Sequence, residues 1–301
     1  MKDRAFSKFQ IISNAIMILV TICVIVPFLL LFMSSITEET TLIRNGYSFF
    51  PEKFSLASYA YILKSGAVIL KAYGISIGIT IVGTICHVLL ASLAAYPLSI
   101  KDLPGRRVMM FFVFFTMLFN GGIVPSYLLW SSTFHVKDTI WGQLLPTLLL
   151  NGWNVMMIRT YFQQSIPYSL IEAAEIDGAS HFQIFTSMIL PLGKPILVTM
   201  GTFAGLAYWN DWTNGLYYIS KRTDLYNVQN LLNNMINNLR FLAEHADSNT
   251  AGAAAQIPTT GVQMAIAFVA ILPIMAIFPF FSKTHFFKYF FISINSGFEI
   301  M

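Results

Sequence analysis

The stretch from Pro167 to Pro191 is where residue types and spacing most plainly imply a task. Glu172-Ala173-Ala174 is followed two residues later by Asp177-Gly178-Ala179, and then by Ser180 and an apolar run ending at Leu190-Pro191. Ser169 with Glu172, and Ser180 with Gln183, each match a capping box. In that arrangement a hydroxyl and a side chain three residues on satisfy the unpaired N–H groups of a helix start. Gly178 lies between the two boxes, where a chain can turn without a Cβ penalty. The spacing therefore predicts two short helices joined at Gly178 and ended by Pro191. Ile171, Ala174, Phe182 and Phe185 give this pair apolar contacts. Such an element fits a groove on a partner protein, and it equally fits a connector lying among lipid headgroups.

A second set of chemically capable residues sits inside apolar runs: Asn120, Asn151, Trp153, Asn154, Tyr208, Trp209, Asn210 and Asp211. Polar groups at membrane depth are functional by default. Amides also hold helices together, and aromatic residues anchor them at interfaces. The remaining motifs are negative. No GxxxxGK[ST] phosphate loop occurs, so the chain is expected to bind no ATP. His87, His135, His181, His245 and His285 show no metal-binding spacing, and no metal site is expected. No GxSxG nucleophile elbow is present, and no buried catalytic pair of an intramembrane enzyme stands out.

The elements that must position these residues follow from composition. Hydrophobic residues make up 56% of the 301, and charged residues 11%, against about 25% charged in soluble domains. With 18 basic and 14 acidic side chains, too few charges exist to cover a soluble core, so lipid is the solvent for the apolar surface. A spanning helix needs about 20 mostly apolar residues, and six segments qualify: 11–33, 73–98, 108–130, 141–162, 195–218 and 261–281. The first lacks a small-residue cleavage site and is read as a retained helix. Cys23 and Cys86 lie in apolar runs and are read as small buried hydrophobes, not a disulfide. Gly74 and Gly78 form a GxxxG spacing that permits close helix packing. Asn120-Gly121-Gly122, Pro125, Pro146 and Gly152 interrupt the third and fourth segments. Such breaks survive at membrane depth only where protein or a watery cavity covers them, so a bundle with a polar interior is expected.

Orientation follows from the short connections. Lys2, Arg4 and Lys8, then Lys101, Arg106 and Arg107, then Lys283 and Lys288 mark one side, while the connection between the third and fourth segments holds only Lys137. The positive-inside rule puts both termini in the cytoplasm and uses the modest net charge of +4 for topology, not for nucleic acid. Lys221 and Arg222 fall outside, at the start of a long loop where the rule is weaker. On this reading residues 163–194 are a cytoplasmic loop and 220–260 an extracytoplasmic one, within a single membrane domain over 1–301. In the outer loop Val228, Leu231, Leu232, Met235, Leu239 and Leu242 recur at helical spacing. That apolar face either packs on its own bundle or receives a partner.

Glu172-Ala173-Ala174-x-x-Asp177-Gly178-Ala179, with Pro191 after it, resembles the EAA loop of ABC importer permeases. Phe119 to Pro125, Trp141 to Pro146, Trp209-Asn210-Asp211-Trp212 and Phe287-Lys288-Tyr289-Phe290-Phe291 resemble the oligosaccharide and polysaccharide branch of the maltose-type permeases. The tail departs from that pattern, with Ser293 and Ile294 where a Lys-Gly pair is usual. The resemblance implies an all-α type I importer permease of six spans with cytoplasmic coupling helices. It implies a second permease subunit of the same family, two ABC ATPase subunits that bind ATP and Mg, and an extracytoplasmic solute-binding protein. Glu172, Ala173, Ala174, Asp177, Gly178, Ala179 and Pro191 would then couple to the ATPase. The solute would be an oligosaccharide, held by aromatic faces and amide or carboxylate hydrogen bonds at Asn120, Asn151, Trp153, Asn154 and Tyr208 through Asp211. The EAA loop is shared with peptide and polyamine permeases, and those solutes stand as the alternative. A scaffold without transport would leave the loop without a use.

The topology is checked by cysteine labelling in a background lacking Cys23 and Cys86. Ser248→Cys is expected to react with an impermeant maleimide in intact cells, and Ser180→Cys only after permeabilisation. External labelling at position 180 would overturn the orientation.

Overall fold

The computed structural model describes residues 2–64, 66–244 and 259–281. Part of the outer loop (245–258) and the tail, including Phe287 to Phe291, lie outside the described residues. The helices are α1 (Lys2–Ser35), α2 (Glu39–Asn45), α3 (Ala57–Lys64), α4 (Gly66–Ser99), α5 (Arg106–Leu118), α6 (Ile123–Leu128), α7 (Trp141–Leu144), α8 (Gly152–Ser165), α9 (Tyr168–Ile176), α10 (His181–Ile184), α11 (Leu190–Leu192), α12 (Lys194–Asn210), α13 (Thr213–Tyr218), α14 (Val228–Glu244) and α15 (Thr259–Phe281). Apart from one isolated bridge between Thr37 and Phe54, the described residues form no β pairing.

Two compact units divide the chain. One comprises residues up to Ala67 with Leu232–Ile277. In it, the Glu39 carboxylate accepts the N–H groups of Thr260 and Gly261, both at 2.8 Å. A negative charge there meets the unpaired donors and positive dipole end of α15. Phe32 packs on Phe268 at 4.9 Å between ring centroids, and Ser35 Oγ shares a hydrogen bond with Tyr59 Oη at 2.7 Å. The apolar side chains of α1 from Phe9 to Leu29 are largely exposed, as expected where lipid or another membrane subunit is the neighbour. Cys23 is exposed with them and Cys86 is half-buried. Both are free thiols, and the expected burial of Cys23 is corrected: it lies on the stretch of α1 whose side chains are exposed among the described residues.

The second unit, Val68–Leu231, holds the main core. On α4 the buried residues Ile69, Ala72, Ser76, Ile79, Gly83, His87 and Ala91 recur every three or four positions, which is one helical face. Small residues let α12 approach it. A Cβ on Gly83 would stand 2.5 Å from Tyr208 Cζ, and one on Gly205 would stand 3.3 Å from Thr84 Oγ1. Gly74 and Gly78, the pair with GxxxG spacing, meet nothing within 4 Å. The close approach of α4 and α12 therefore falls on Gly83, Gly201 and Gly205 instead.

Two helices, Phe9–Ser35 and Gly66–Ser99, are long and apolar enough to cross a membrane unaided. Two bent pairs meet the same test together: Arg106–Leu118 with Ile123–Thr133, bent by 113°, and His181–Leu192 with Lys194–Asn210, bent by 79°. The third segment is thus a helix broken at the Asn120-Gly121-Gly122 interruption. Gly122 takes φ +88° and donates its N–H to Asn120 Oδ1 at 2.9 Å. The fourth segment is also interrupted, between α7 and α8, where Thr147 takes φ +63°. In the fifth, α12 ends at Asn210 and α13 starts at Thr213.

Polar side chains tie the loops at one end of this unit. Asp138, at φ +56°, accepts the N–H groups of Ser220, Lys221 and Arg222 on Oδ1 at 2.7, 2.8 and 3.3 Å. Its own N–H donates to the Tyr218 carbonyl at 2.7 Å. The amides of Lys221 and Ser220 hold the Asp138 carboxyl below its ordinary range. The tie is therefore complete above the ordinary aspartate value near ~3.9, and it is lost as pH falls through the lower folded value. Asp138→Asn keeps a residue that tolerates a left-handed backbone and removes only the charge. It is expected to lower the melting temperature at pH 7, with the gap to wild type closing below about pH 4. Equal melting temperatures at neutral pH would contradict this.

Candidate functional site

The Pro167–Gly193 element is built by two backbone devices. α9 ends in a Schellman arrangement. The N–H of Ala179 donates to the Ala174 carbonyl at 2.9 Å, and the N–H of Gly178 to the Glu175 carbonyl at 3.0 Å. Gly178 carries this turn at φ +80°, a conformation costing about 1–2 kcal/mol for a residue with a Cβ. Ala174 and Ala179, the two ends of the longer bond, are half-buried against the core. The next helix starts with the expected capping box: the N–H of Ser180 donates to Gln183 Oε1 at 2.8 Å, and Ser180 Oγ accepts the Gln183 N–H at 3.4 Å.

Two expectations are corrected here. Ser169 and Glu172 form no capping box, because α9 begins at Tyr168 after Pro167 and Ser169 already lies inside its first turn. Pro191 does not end the second helix. α10 continues through a π-helical turn (Phe185–Ile189) into α11, and the chain turns at Gly193. A Cβ on Gly193 would stand 2.5 Å from Phe162 Cε1, so the turn is set by packing on α8.

One face of this element is buried. Ile171, Ile184, Phe185 and Ile189 join Ile158, Phe162 and Met200 in the core. The opposite face is exposed and carries Glu172, Ala173, Asp177 and Gly178, with Ile176 at 85% and Phe182 at 69% exposure. Phe182 thus faces outward, unlike Phe185. Ile176 was not singled out in the sequence, because its spacing from Ile171 falls off the core stripe. A Cβ on Gly178 would meet nothing within 4 Å, so the chain itself leaves open space there.

The polar residues at membrane depth fall into three places. Asn151 caps α8 by accepting the Trp153 N–H at 2.8 Å. Asn154 is buried, with its amide nitrogen against His87 Nε2, and His87 Nδ1 lies 2.7 Å from the Leu148 carbonyl. These groups line a cavity of about 150 Å³ with Thr147, Leu148, Phe203, Ala204 and Ala207. Trp153 stands edge-on to Phe203 at 6.2 Å. The sequence reading weighed His87 only as a metal ligand, and Thr147 and Phe203 did not enter it. A histidine inside an apolar helix was the available signal for His87.

Tyr208, Trp209, Asn210 and Asp211 cluster where α12 breaks. Buried Tyr208 donates to the Leu144 carbonyl at 3.0 Å. Trp209 is buried, and its Nε1 has no hydrogen-bond partner among the described residues. Asn210 is exposed. Asp211 Oδ1 accepts the N–H groups of Thr213 and Asn214 at 3.1 and 3.3 Å, while its buried Oδ2 is unpartnered among the described residues. The Asp211 carbonyl accepts from Asn227 at 2.7 Å. Asn120 stands at the bend after α5 and is not among the residues lining the cavity. Among the described residues no three His, Cys, Asp or Glu side chains converge as metal ligands.

Apolar helices broken at polar residues, with a helix pair exposed along one face, are features of a membrane transport subunit. Residues 87–289 match the family described as binding-protein-dependent transport system inner membrane component, and the chain belongs to that family. It is 33% identical over 288 residues to the polygalacturonan/rhamnogalacturonan transport system permease protein YtcP of Bacillus subtilis, covering 96% of this chain and 97% of that one. It is 35% identical over 264 residues to Protein LplC of the same organism, covering 88% and 86%. A chain in the crystal structure of a bacterial ABC transporter involved in the import of the acidic polysaccharide alginate superimposes with a TM-score of 0.76 at 26% identity, over 92% of this chain and 96% of that one.

The two serines are expected to differ. Ser180→Ala removes an observed cap and should cost about 1 kcal/mol locally, seen as roughly fivefold faster hydrogen exchange at the Gln183 amide. Ser169→Ala should leave exchange across α9 unchanged. Equal effects would contradict the assigned helix start.

Proposed function

We propose that this chain is one of two related membrane-spanning subunits of an ATP-driven importer, and that it passes an oligosaccharide or polysaccharide into the cell. An extracytoplasmic binding protein delivers the sugar. Two partner ATPase subunits bind ATP and Mg and supply the energy, while this chain performs no chemistry on its cargo. Both termini and the Pro167–Gly193 element face the cytoplasm, and α14 with the loop after it faces the binding protein.

The observation that carries this reading is one exposed face bearing Glu172, Asp177, Gly178, Ile176 and Phe182 on an element whose other face is locked into the core. An element held rigidly on one side and apolar with flanking charge on the other is built to transmit force from a partner's groove. The saccharide is favoured over a peptide or polyamine by the relatives named for polygalacturonan and by the alginate importer. The aromatic and amide lining of the path supports the same choice.

Gly178→Asp tests the coupling. The left-handed backbone at Gly178 disfavours any side chain, and Asp would also intrude into the partner's groove. The cost is too small to unfold the bundle. The variant is expected to reach the membrane normally while losing co-purified ATPase, or losing transport with the ATPase still bound. Normal uptake by Gly178→Asp would defeat the claim that this element carries the power stroke.

A further inference from the structure

We infer that Arg106 and Arg159 together bind the phosphate of an anionic phospholipid headgroup, in the leaflet faced by the turn between α4 and α5. This requires only that the chain spans a membrane, and it is independent of what the importer carries. Helix packing brings the two arginines together. Gly152 opens α8 against α5, where a Cβ on it would stand 3.0 Å from the Val113 carbonyl. About two turns back along α5 from that contact stands Arg106, and about two turns forward along α8 stands Arg159. Both side chains reach the end of α4. Nε of Arg106 donates to the Leu98 carbonyl at 2.9 Å, and Nε of Arg159 donates to the same oxygen at 3.2 Å. The two nitrogens are therefore no further apart than these two bonds laid end to end.

One cation is enough to satisfy a carbonyl at a helix C-terminus. The second sets a full like charge beside the first, while the helix end offers only about half a negative charge to both. A carboxylate would offset the repulsion, yet neither arginine takes part in an ion pair among the described residues. The ion pairs there join Lys53 to Glu38, Lys71 and Arg222 to Asp224, and His181 to Glu175. Asp102, in the turn between α4 and α5, interacts with Tyr168. Both arginines are half-buried, so salt screens them less than it screens exposed charges. Arg106 uses Nε and, at 3.4 Å, one Nη toward the Lys101 carbonyl, while Arg159 uses Nε alone. The remaining N–H groups are forks that match paired phosphate oxygens. Basic pockets between membrane helices take lipid headgroups in this way. A free phosphate shares that chemistry, and the neighbouring side chains select the lipid. Val108, Met109 and Phe112 on α5 and Leu90 and Leu93 on α4 are exposed, an apolar wall for the acyl chains of a lipid held at the arginines.

The test uses the intact complex in nanodiscs of phosphatidylcholine with a minority of phosphatidylglycerol, released into native mass spectrometry. Wild type is expected to retain phosphatidylglycerol in preference to phosphatidylcholine. Arg106→Gln combined with Arg159→Gln should lower that retention roughly tenfold or more. Should this variant fail to assemble, Arg159→Gln alone gives the reading, with a loss of about fivefold, because Arg106 still satisfies Leu98. Lys101→Gln combined with Arg107→Gln removes two exposed charges nearby and should change retention by no more than about twofold. Equal retention by wild type and the Arg106 and Arg159 variants overturns the site. An equal loss in the Lys101 and Arg107 variant shows diffuse attraction and overturns it as well. Displacement of the retained lipid by inorganic phosphate assigns the arginines to a free phosphate and overturns the lipid as occupant. Sugar uptake plays no part in the readout, so failure of the lipid site and failure of the proposed transport function are told apart.

Discussion

Everything in the Val68–Leu231 unit depends on one constraint: a backbone N–H or C=O that leaves its helix at membrane depth must find a partner within the protein. Each of the three interrupted segments meets it with a short polar side chain. Asn120 receives the Gly122 N–H at the bend after α5, Asn151 caps α8, and Asp211 receives two N–H groups at the start of α13. Asn214 reaches the Pro146 carbonyl at 2.9 Å, so one break is satisfied from another. Asn120, Asn151, Asp211 and Asn214 thus each have a structural task, and the question of function becomes which of the remaining polar groups are still unoccupied.

That accounting separates the candidates. Asn120 closes its own turn. Tyr208 is buried, packed against Gly83, and donates to Leu144. Asp211 retains an unpartnered oxygen among the described residues, and Asn154 retains donor and acceptor capacity beside a cavity. The cavity exists because small residues allow α12 to lie close to α4, while Phe203 and Ala207 remain on its open side. Packing and polarity are therefore one design: glycine contacts bring the helices together, and amides fill the places where the helices break.

The Pro167–Gly193 element follows the same economy of backbone groups outside the bundle. Its helix ends are satisfied internally, by the Schellman turn at Gly178 and the capping box at Ser180, so no solvent or partner contact is needed to hold its shape. Its inner face is committed to the core through Ile171, Ile184 and Phe185. A preformed element of this kind can move with α8 and α12 as a unit, because Gly193 is wedged on Phe162.

Much of this was legible from residue types alone. Hydrophobic content and length determined that lipid is the solvent. The Gly178 turn and the Ser180 box follow from local chemistry, since both involve residues within five positions of each other and no distant partner can veto them. Helical spacing from Val228 onward likewise determined α14. One failure was local: Ser169 offered the same motif as Ser180, yet the chain entered the helix at Tyr168, directly after Pro167. The others were decided by neighbours remote in sequence. Pro191 reads as a terminator, but the turn falls at Gly193, where Phe162 from α8 leaves room only for glycine. The GxxxG pair lost its role to Gly83, Gly201 and Gly205 because which face of α4 meets α12 is not written in spacing. His87 is the clearest case. In sequence it is a lone imidazole in an apolar run, and only the tertiary fold brings the Leu148 carbonyl to one nitrogen and the Asn154 amide to the other, 61 and 67 residues away. Local periodicity specifies which elements form, but the hydrogen-bond partners of a buried polar group are specified by the packing that buries it.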